Sequence, residues 1–266
     1  MAATLYLLPN RIAETDFSDV LPEKSLAVLR RTRRFLAENA RSARRFLKAA
    51  GHPDAIDTLE IIEIGHAPDA VRFDEWLSPL TKDDASDTAI VSESGCPAVA
   101  DPGAGLVRRA HELGIPVKPL VGPSSLLLTL MASGMNGQRF RFLGYLPIEK
   151  DVRREAILAV ERESAKLSET ELFIETPYRN NPMLAALSET LHTDTLITVA
   201  TDVTGDGESI ITRTAGAWKK ALPELPKLPT VFAVFAVHPV KTVKTADRPH
   251  KPAAAPRNHR PLKRRA

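Results

Sequence analysis

A single cysteine, Cys96, stands in the whole 266-residue chain, so no intrachain disulfide framework can form, and no Cys/His group has zinc-ligand spacing. No metal is expected. Long apolar runs are missing too: no stretch reaches the roughly 18 to 20 residues of a membrane span, and the opening MAATLYLLPN has neither a basic region nor a small-residue cleavage site. A soluble, cytoplasmic protein without a membrane partner is the expectation. Three ligand motifs fail on spacing. Gly103-Ala104-Gly105 meets Arg108 where a dinucleotide fingerprint needs Gly or Ala, and it follows a loop, not a strand. A phosphate loop is absent, since no Gly-Lys-Ser or Gly-Lys-Thr run exists. Residues 202–208 open like a calcium loop, but Thr204 occupies the third position and Arg213 the twelfth, where glutamate is required. A hairpin turn is the reading for that stretch.

Neither sign of charge dominates the chain as a whole, with 36 Lys and Arg against 33 Asp and Glu, but the balance is uneven along it. The formal net charge is +3, yet residues 239–266 hold nine Lys or Arg against one Asp, which leaves −5 on residues 1–238. This tail has no aromatic and no hydrophobic period, so it cannot bury enough surface to offset its ordering entropy, and it is expected to be a disordered basic tail. It reads either as a sequence-independent RNA or ribosome anchor or as a solubilising extension.

What is present before the tail is an alternation of short apolar runs with longer amphipathic segments, the pattern of an α/β protein with largely parallel strands. Strands are expected at residues 4–8, 59–64, 88–92 and 116–120. Helices are expected within 18–49 and at 67–77 and 104–113, the last closed by Gly114. Gly122-Pro123 interrupts the pattern. A helix over 124–133 then leads to strands at 140–145, 172–175, 196–201, 209–212 and 230–237, with helices at 151–167 and 181–191. The later strands are closely spaced, so the second sheet is expected to be mixed. The division is therefore an N-terminal α/β domain over 1–122, a C-terminal α/β domain over 123–238, and the tail.

In open α/β sheets ligands bind beyond the carboxyl ends of strands. The run Ser92-Glu93-Ser94-Gly95-Cys96-Pro97 follows a strand and would let a ligand approach the backbone, because Gly95 lacks a Cβ and Pro97 sets the chain direction. A plain turn explains the same residues.

Taken together, LYLLPN, AENARSARRFL, TAIVSESGCPAVADPGAGLVRRA, VGPSSLLLTLMASGM followed by FLGYLP, and LFIETPYR resemble, in order and spacing, the tetrapyrrole-methylase-type (class III) methyltransferases. The likeness covers roughly residues 4–237 and is strongest to the branch that methylates a ribose 2′-oxygen in small-subunit ribosomal RNA. It implies two α/β domains with S-adenosylmethionine in the cleft between them, and a homodimer. Carried over by position, it implies cofactor contacts at Leu8, at Ser94, Gly95, Cys96 and Pro97 with Val99, at Ser124 and Ser125, and at Thr176, Ala200 and Thr230. These are mostly small or apolar, as suits a site that works through backbone groups; Ser124 is equally a helix N-cap.

Departures from the branch fall on the acceptor side. Pro9-Asn10 is followed by Arg11-Ile12 without the usual glycine, and the usual Ala-Glu-Asp-Thr-Arg reads Ala37-Glu38-Asn39-Ala40-Arg41. Ser-Pro-His-Arg reads Thr176-Pro177-Tyr178-Arg179, and an Arg-Glu-Leu-Thr-Lys run reads Thr201-Asp202-Val203-Thr204-Gly205. A ribose hydroxyl must lose a proton during transfer, so a carboxylate is sought: Glu38, Glu93 and Asp101 are the candidates, with a helix-surface charge, a loop charge and an N-cap as their plain alternatives. Between Arg30 and Lys48 there are eight Lys or Arg against one Glu. On a helix, Arg30, Arg34, Arg41, Arg45 and Lys48 fall near one face, so Arg34, Arg41 and Arg45 are candidate phosphate contacts, against a solvated helix face. Tyr178 and Arg179 are candidate stacking or phosphate contacts. RNA or a ribosomal subunit is the expected partner. A small tetrapyrrole-like acceptor and a catalytically decayed RNA-binding module are the alternatives.

Overall fold

A computed structural model describes residues 3–82 and 84–237; the basic tail expected over 239–266 lies outside the described residues. In chain order the first half runs β1 (Leu5–Leu8), α1 (Phe17–Val20), α2 (Glu23–Arg31), β2 (Arg34–Ala37), α3 (Ala40–Ala49), β3 (Glu60–Glu63), α4 (Phe73–Leu77), β4 (Thr88–Val91), α5 (Ala104–Glu112) and β5 (Val117–Pro119). The second half runs α6 (Ser125–Ser133), β6 (Phe140–Tyr145), α7 (Lys150–Leu167), β7 (Thr170–Glu175), α8 (Asn180–Thr190), β8 (Leu196–Thr201), β9 (Ser209–Thr214), α9 (Ala215–Lys220) and β10 (Thr230–Phe235).

The first sheet has the order β3-β2-β4-β1-β5 with every pair parallel. Its strands are short and hydrophobic, and β2 and β4 are buried throughout, as befits central strands covered on both faces. On one face Leu26, Leu29, Phe46 and Leu47 from α2 and α3 pack against Tyr6, Leu8 and Phe35. Trp76, Leu77, Leu106 and Ala110 from α4 and α5 pack against the other. After β1 the chain travels toward β2; after β4 it travels the opposite way, toward β5, with α5 on the opposite face from α2. The strand order thus reverses between neighbours β1 and β4, which opens a crevice beyond their carboxyl ends.

The second sheet has the order β6-β7-β10-β8-β9, with β6 and β7 parallel and the other three pairs antiparallel. Alternation along its strands sends Phe173, Val199 and Phe232 toward α7, α8 and α9, where Trp218 and Leu187 complete that core, and Leu172, Ala200 and Val231 toward Leu130 of α6. The mixed sheet follows the expectation from the close strand spacing.

The segment 18–49 differs from its expectation. A strand, β2, divides it, because α2 ends at Thr32, whose backbone is extended and whose hydroxyl donates to the Val28 carbonyl. Residues 34–37 then pair with both β3 and β4. Arg34 is therefore no part of a basic helix face. It is 5 % exposed, and its guanidinium donates to Glu60 Oε2 at 3.0 Å, the Trp76 carbonyl at 2.8 Å and Thr88 Oγ1 at 3.3 Å. The helix expected over 67–77 is shorter, a 3-10 turn at Ala70–Arg72 followed by α4. The helix α9 was not anticipated.

Candidate active site

The loops after β1 and β4 are tied together. Asn10 N donates to the Gly95 carbonyl at 2.9 Å, and Asn10 Nδ2 donates to the Glu93 carbonyl at 3.0 Å. Between them the chain 95–103 is bent tightly: Gly95 has φ +67°, Gly103 φ +131°, and Ala98 and Ala100, which do have a Cβ, are held at φ 66° and 62°. Non-glycine residues in this region cost free energy that the surroundings must offset, and they gather at functional loops. At Gly95 a Cβ would stand 3.2 Å from Ile12 Cγ2 and would enter the space in front of the loop.

That space is a cavity of about 350 Å³ between the two sheets. The first half contributes Ile12, Ser94, Gly95, Cys96, Val99 and Asp101; α6 contributes Ser124 and Ser125; the second sheet contributes Ile174, Thr176, Ala200 and Thr230. No Lys or Arg lines it. Nine of the eleven residues expected to contact a cofactor thus share one cleft. The exceptions are Leu8 and Pro97: Leu8, the last residue of β1, is fully buried in the core against α2 and α3 and does not line the cleft. Pro97 sets the loop's course behind the wall and is not among the lining residues. Ser124 does cap its helix, its side chain accepting from Leu127 N at 3.5 Å. Thr230 spends its hydroxyl on Asn180 and Thr201, so it offers the cleft its backbone.

The three candidate carboxylates separate by environment. Glu38, just beyond β2, is 6 % exposed; it accepts from Glu93 N at 3.2 Å and is paired with His66 Nδ1. Glu93 turns away from the cleft and accepts from Ser42 Oγ of α3 at 2.5 Å. Asp101 alone of the three lines the cleft. Its pKa is raised to about 6, first by burial and then by the charge of Glu38, with a hydrogen bond from Ser92 opposing. Burial also pushes the neighbouring Cys96 thiol up. His66 carries no distinguishing pattern in the sequence, and the Pro9-Asn10 motif gives no sign that Asn10 ties the β1 and β4 loops together. His66 Nδ1 and a carboxylate oxygen from each of Glu38 and Glu93 lie within 4.8 Å of one another.

Of the expected acceptor-side residues, Arg41 and Arg45 are exposed on α3 together with Arg44 and Lys48; Arg34 is buried, as described above. Arg179 is committed inward, its guanidinium 2.9 Å from Glu175 Oε2 and donating to the Pro147 carbonyl. This pairing follows from the turn after β7, where Glu175 Oε1 accepts from Thr176 N. Tyr178 is 79 % exposed beyond Pro177, with Lys227 Nζ 5.4 Å from its ring centre.

No family model matches the chain. Curated relatives do. The ribosomal RNA small subunit methyltransferase I of Neisseria meningitidis serogroup B is 30% identical over 222 residues, covering 84% of this chain and 71% of the relative. The protein of the same name from Micromonospora olivasterospora is 32% identical over 210 residues, covering 79% of this chain and 62% of the relative. Among solved structures, the methyltransferase CobJ superposes with a TM-score of 0.56 at 19% identity, over 88% of this chain and 94% of the other. A conserved hypothetical protein from Aeropyrum pernix K1 superposes with a TM-score of 0.57 at 17% identity, over 89% and 86%.

Proposed function

The chain belongs to the ribosomal RNA small subunit methyltransferase I family, and on that premise we propose that it transfers the methyl group of S-adenosylmethionine to a ribose 2′-oxygen of small-subunit ribosomal RNA. The observation that carries this reading is a cleft of mostly small and apolar residues that holds two carboxylates: Glu175, ion-paired with Arg179, and Asp101, whose pKa is raised to about 6. S-adenosylmethionine fits that cleft: Gly95 leaves the backbone open to close approach, and no fixed cation faces a sulfonium.

When bound, the cofactor supplies an activated methyl group. The loop 94–99 would hold its methionine part, and Thr176, Ala200 and Thr230 its adenosine, largely through backbone groups. Asp101 takes the proton that the acceptor hydroxyl gives up as its oxygen gains the methyl carbon. Glu38 and Glu93 act through Asp101, since their negative charges raise its pKa toward the working pH. Orientation in line with the transferred group supplies much of the remaining rate, on the order of 7 kcal/mol or more in well-aligned systems. The domain division at residues 122 and 123 belongs to the same reading, because the cleft takes its walls from both sides of it. The enzyme would meet its RNA in the cytoplasm, with Arg41, Arg44, Arg45 and Lys48 available for phosphates.

Tritiated methyl transfer into total RNA from cells lacking the protein tests this. Label in small-subunit RNA is the expected result; label in a porphyrinoid and in no RNA would overturn it.

The proposal includes a homodimer. The helix α6 has no charged residue, and it leaves Leu127 51 % and Met131 79 % exposed beside Val121 at 72 %, an apolar surface of the kind that marks an interface. Light scattering should give a dimer for the wild type and a monomer for Met131→Glu. A wild-type monomer at micromolar concentration would rule the dimer out.

A further inference from the structure

Another cavity, of about 460 Å³, sits at the β5 edge of the first sheet and shares no lining residue with the cofactor cleft. Its volume is that of a small-molecule site. One wall is α2, where Lys24, Ala27, Val28 and Arg31 recur at the spacing of a single helix face. The other is the edge strand β5 and its continuation, with Lys118, Pro119 and Leu120. The floor is Tyr6 of β1. It stands opposite Lys118 in the parallel register of β1 and β5, so the two side chains leave the sheet on the same face.

The charge here runs against that of the folded chain. Residues 1–238 sum to −5, yet the lining holds three cations and no carboxylate. Lys24 and Lys118 are exposed and make no ion pair among the described residues. The carboxylate paired with Arg31 is Asp87, 4.0 Å from its Nε, and Asp87 also accepts from Thr4 N at 2.9 Å. Tyr6 is 6 % exposed. Arg31 Nη2 donates to its hydroxyl oxygen at 2.8 Å, with the guanidinium carbon 5.4 Å from the ring centre. The hydroxyl is the acceptor in that bond and keeps its own proton, for which no described residue supplies an acceptor. An unused buried donor costs free energy that a ligand oxygen would recover.

We infer that this cavity binds a small phosphate monoester of the nucleoside monophosphate class. The phosphate accepts from the Tyr6 hydroxyl and the Arg31 guanidinium, and Lys24 and Lys118 balance its charge. Its three terminal oxygens and charge near −2 match this set of donors, which a carboxylate would leave partly unused. The organic body lies against Val28, Pro119 and Leu120, since the volume exceeds what a phosphate alone fills. A terminal phosphate reaches a donor on the cavity floor; a diester inside a nucleic-acid strand, carrying a substituent on both sides, does not. The inference stands apart from the methyl-transfer reading.

Calorimetry on the full chain tests it, with S-adenosylhomocysteine in excess to keep nucleosides from the cleft. Uridine 5′-monophosphate should bind at one site per chain, and uridine should not bind. Tyr6→Phe, which leaves the charge unchanged, should weaken the nucleotide about 10-fold, and Lys118→Glu by at least about 10-fold. Arg44→Glu/Arg45→Glu, which alters cations outside this cavity, should leave it as in wild type. All three should melt at the wild-type temperature. Should Tyr6→Phe melt lower, Lys24→Glu, at an exposed position, takes its place beside Lys118→Glu with the same expected loss. No saturable binding, uridine binding as tightly as its monophosphate, or a nucleotide affinity indifferent to Tyr6→Phe and Lys118→Glu would overturn the inference. So would equal competition by an oligonucleotide lacking a terminal phosphate, which would assign the cavity to a strand.

Discussion

Asp101→Asn is expected to lower kcat by about 10²- to 10⁴-fold, the usual worth of a positioned general base, while S-adenosylhomocysteine binds as before. Asparagine preserves the shape of the side chain and its place in the cleft but cannot take a proton. The pH dependence provides a second check. Burial and the Glu38 charge raise the wild-type Asp101 pKa to about 6, so kcat should fall as pH drops through 6 and level off above it. The variant's residual rate should lack that limb. Stability runs the other way. The folded protein holds the Asp101 proton in the window between the ordinary carboxylate range and about pH 6, where the unfolded chain has released it. Stability from this group is therefore present at low pH and lost as pH rises through that window. Asp101→Asn should remove that slope, measurable as urea midpoints at pH 4 and pH 7. A variant that keeps wild-type kcat would assign the proton elsewhere, with Glu38 the next carboxylate to replace.

Arg34→Ala should destabilise the fold by roughly 2 to 3 kcal/mol and leave RNA binding by the folded protein unaltered. Its guanidinium is the partner of the buried Trp76 carbonyl and of Thr88 Oγ1, and an orphaned buried polar group costs about 1 to 3 kcal/mol. The ion pair with Glu60 adds less, because that partner is 58 % exposed. Chemical denaturation measures the loss. The salt dependence of RNA affinity distinguishes a structural from a phosphate-contacting arginine: it should be unchanged in Arg34→Ala and reduced in Arg44→Glu/Arg45→Glu. An unchanged denaturation midpoint with weakened RNA binding would return Arg34 to the RNA surface.

The contrast between Arg34 and Arg45 shows where sequence reading stops. Both lie in one arginine-rich stretch, and helical spacing put them on one face. The spacing holds for Arg41 and Arg45 within α3 but not for Arg34, because a four-residue central strand buried on both faces has neither length nor alternation to announce it. Its strand character comes from pairing with β3 and β4. Leu8 differs for a similar reason: position in the order of motifs located the end of β1, but only packing showed that its side chain points into the core.

Local chemistry was enough for the alternation of strands and helices, the mixed second sheet and the small-residue loop 94–99 that lines the cleft. Each depends on period, turn residues or close spacing, which are properties of neighbours along the chain. The tertiary structure decided which of the three candidate carboxylates faces the cleft, how far its pKa rises, that Asn10 and His66 join the site, and that Arg34 and Arg179 are spent on internal partners. Those outcomes turn on burial and on distances between residues far apart in the chain, such as Asn10 and Glu93 or Glu38 and Asp101, and desolvation and pairwise charge have no counterpart in a linear sequence.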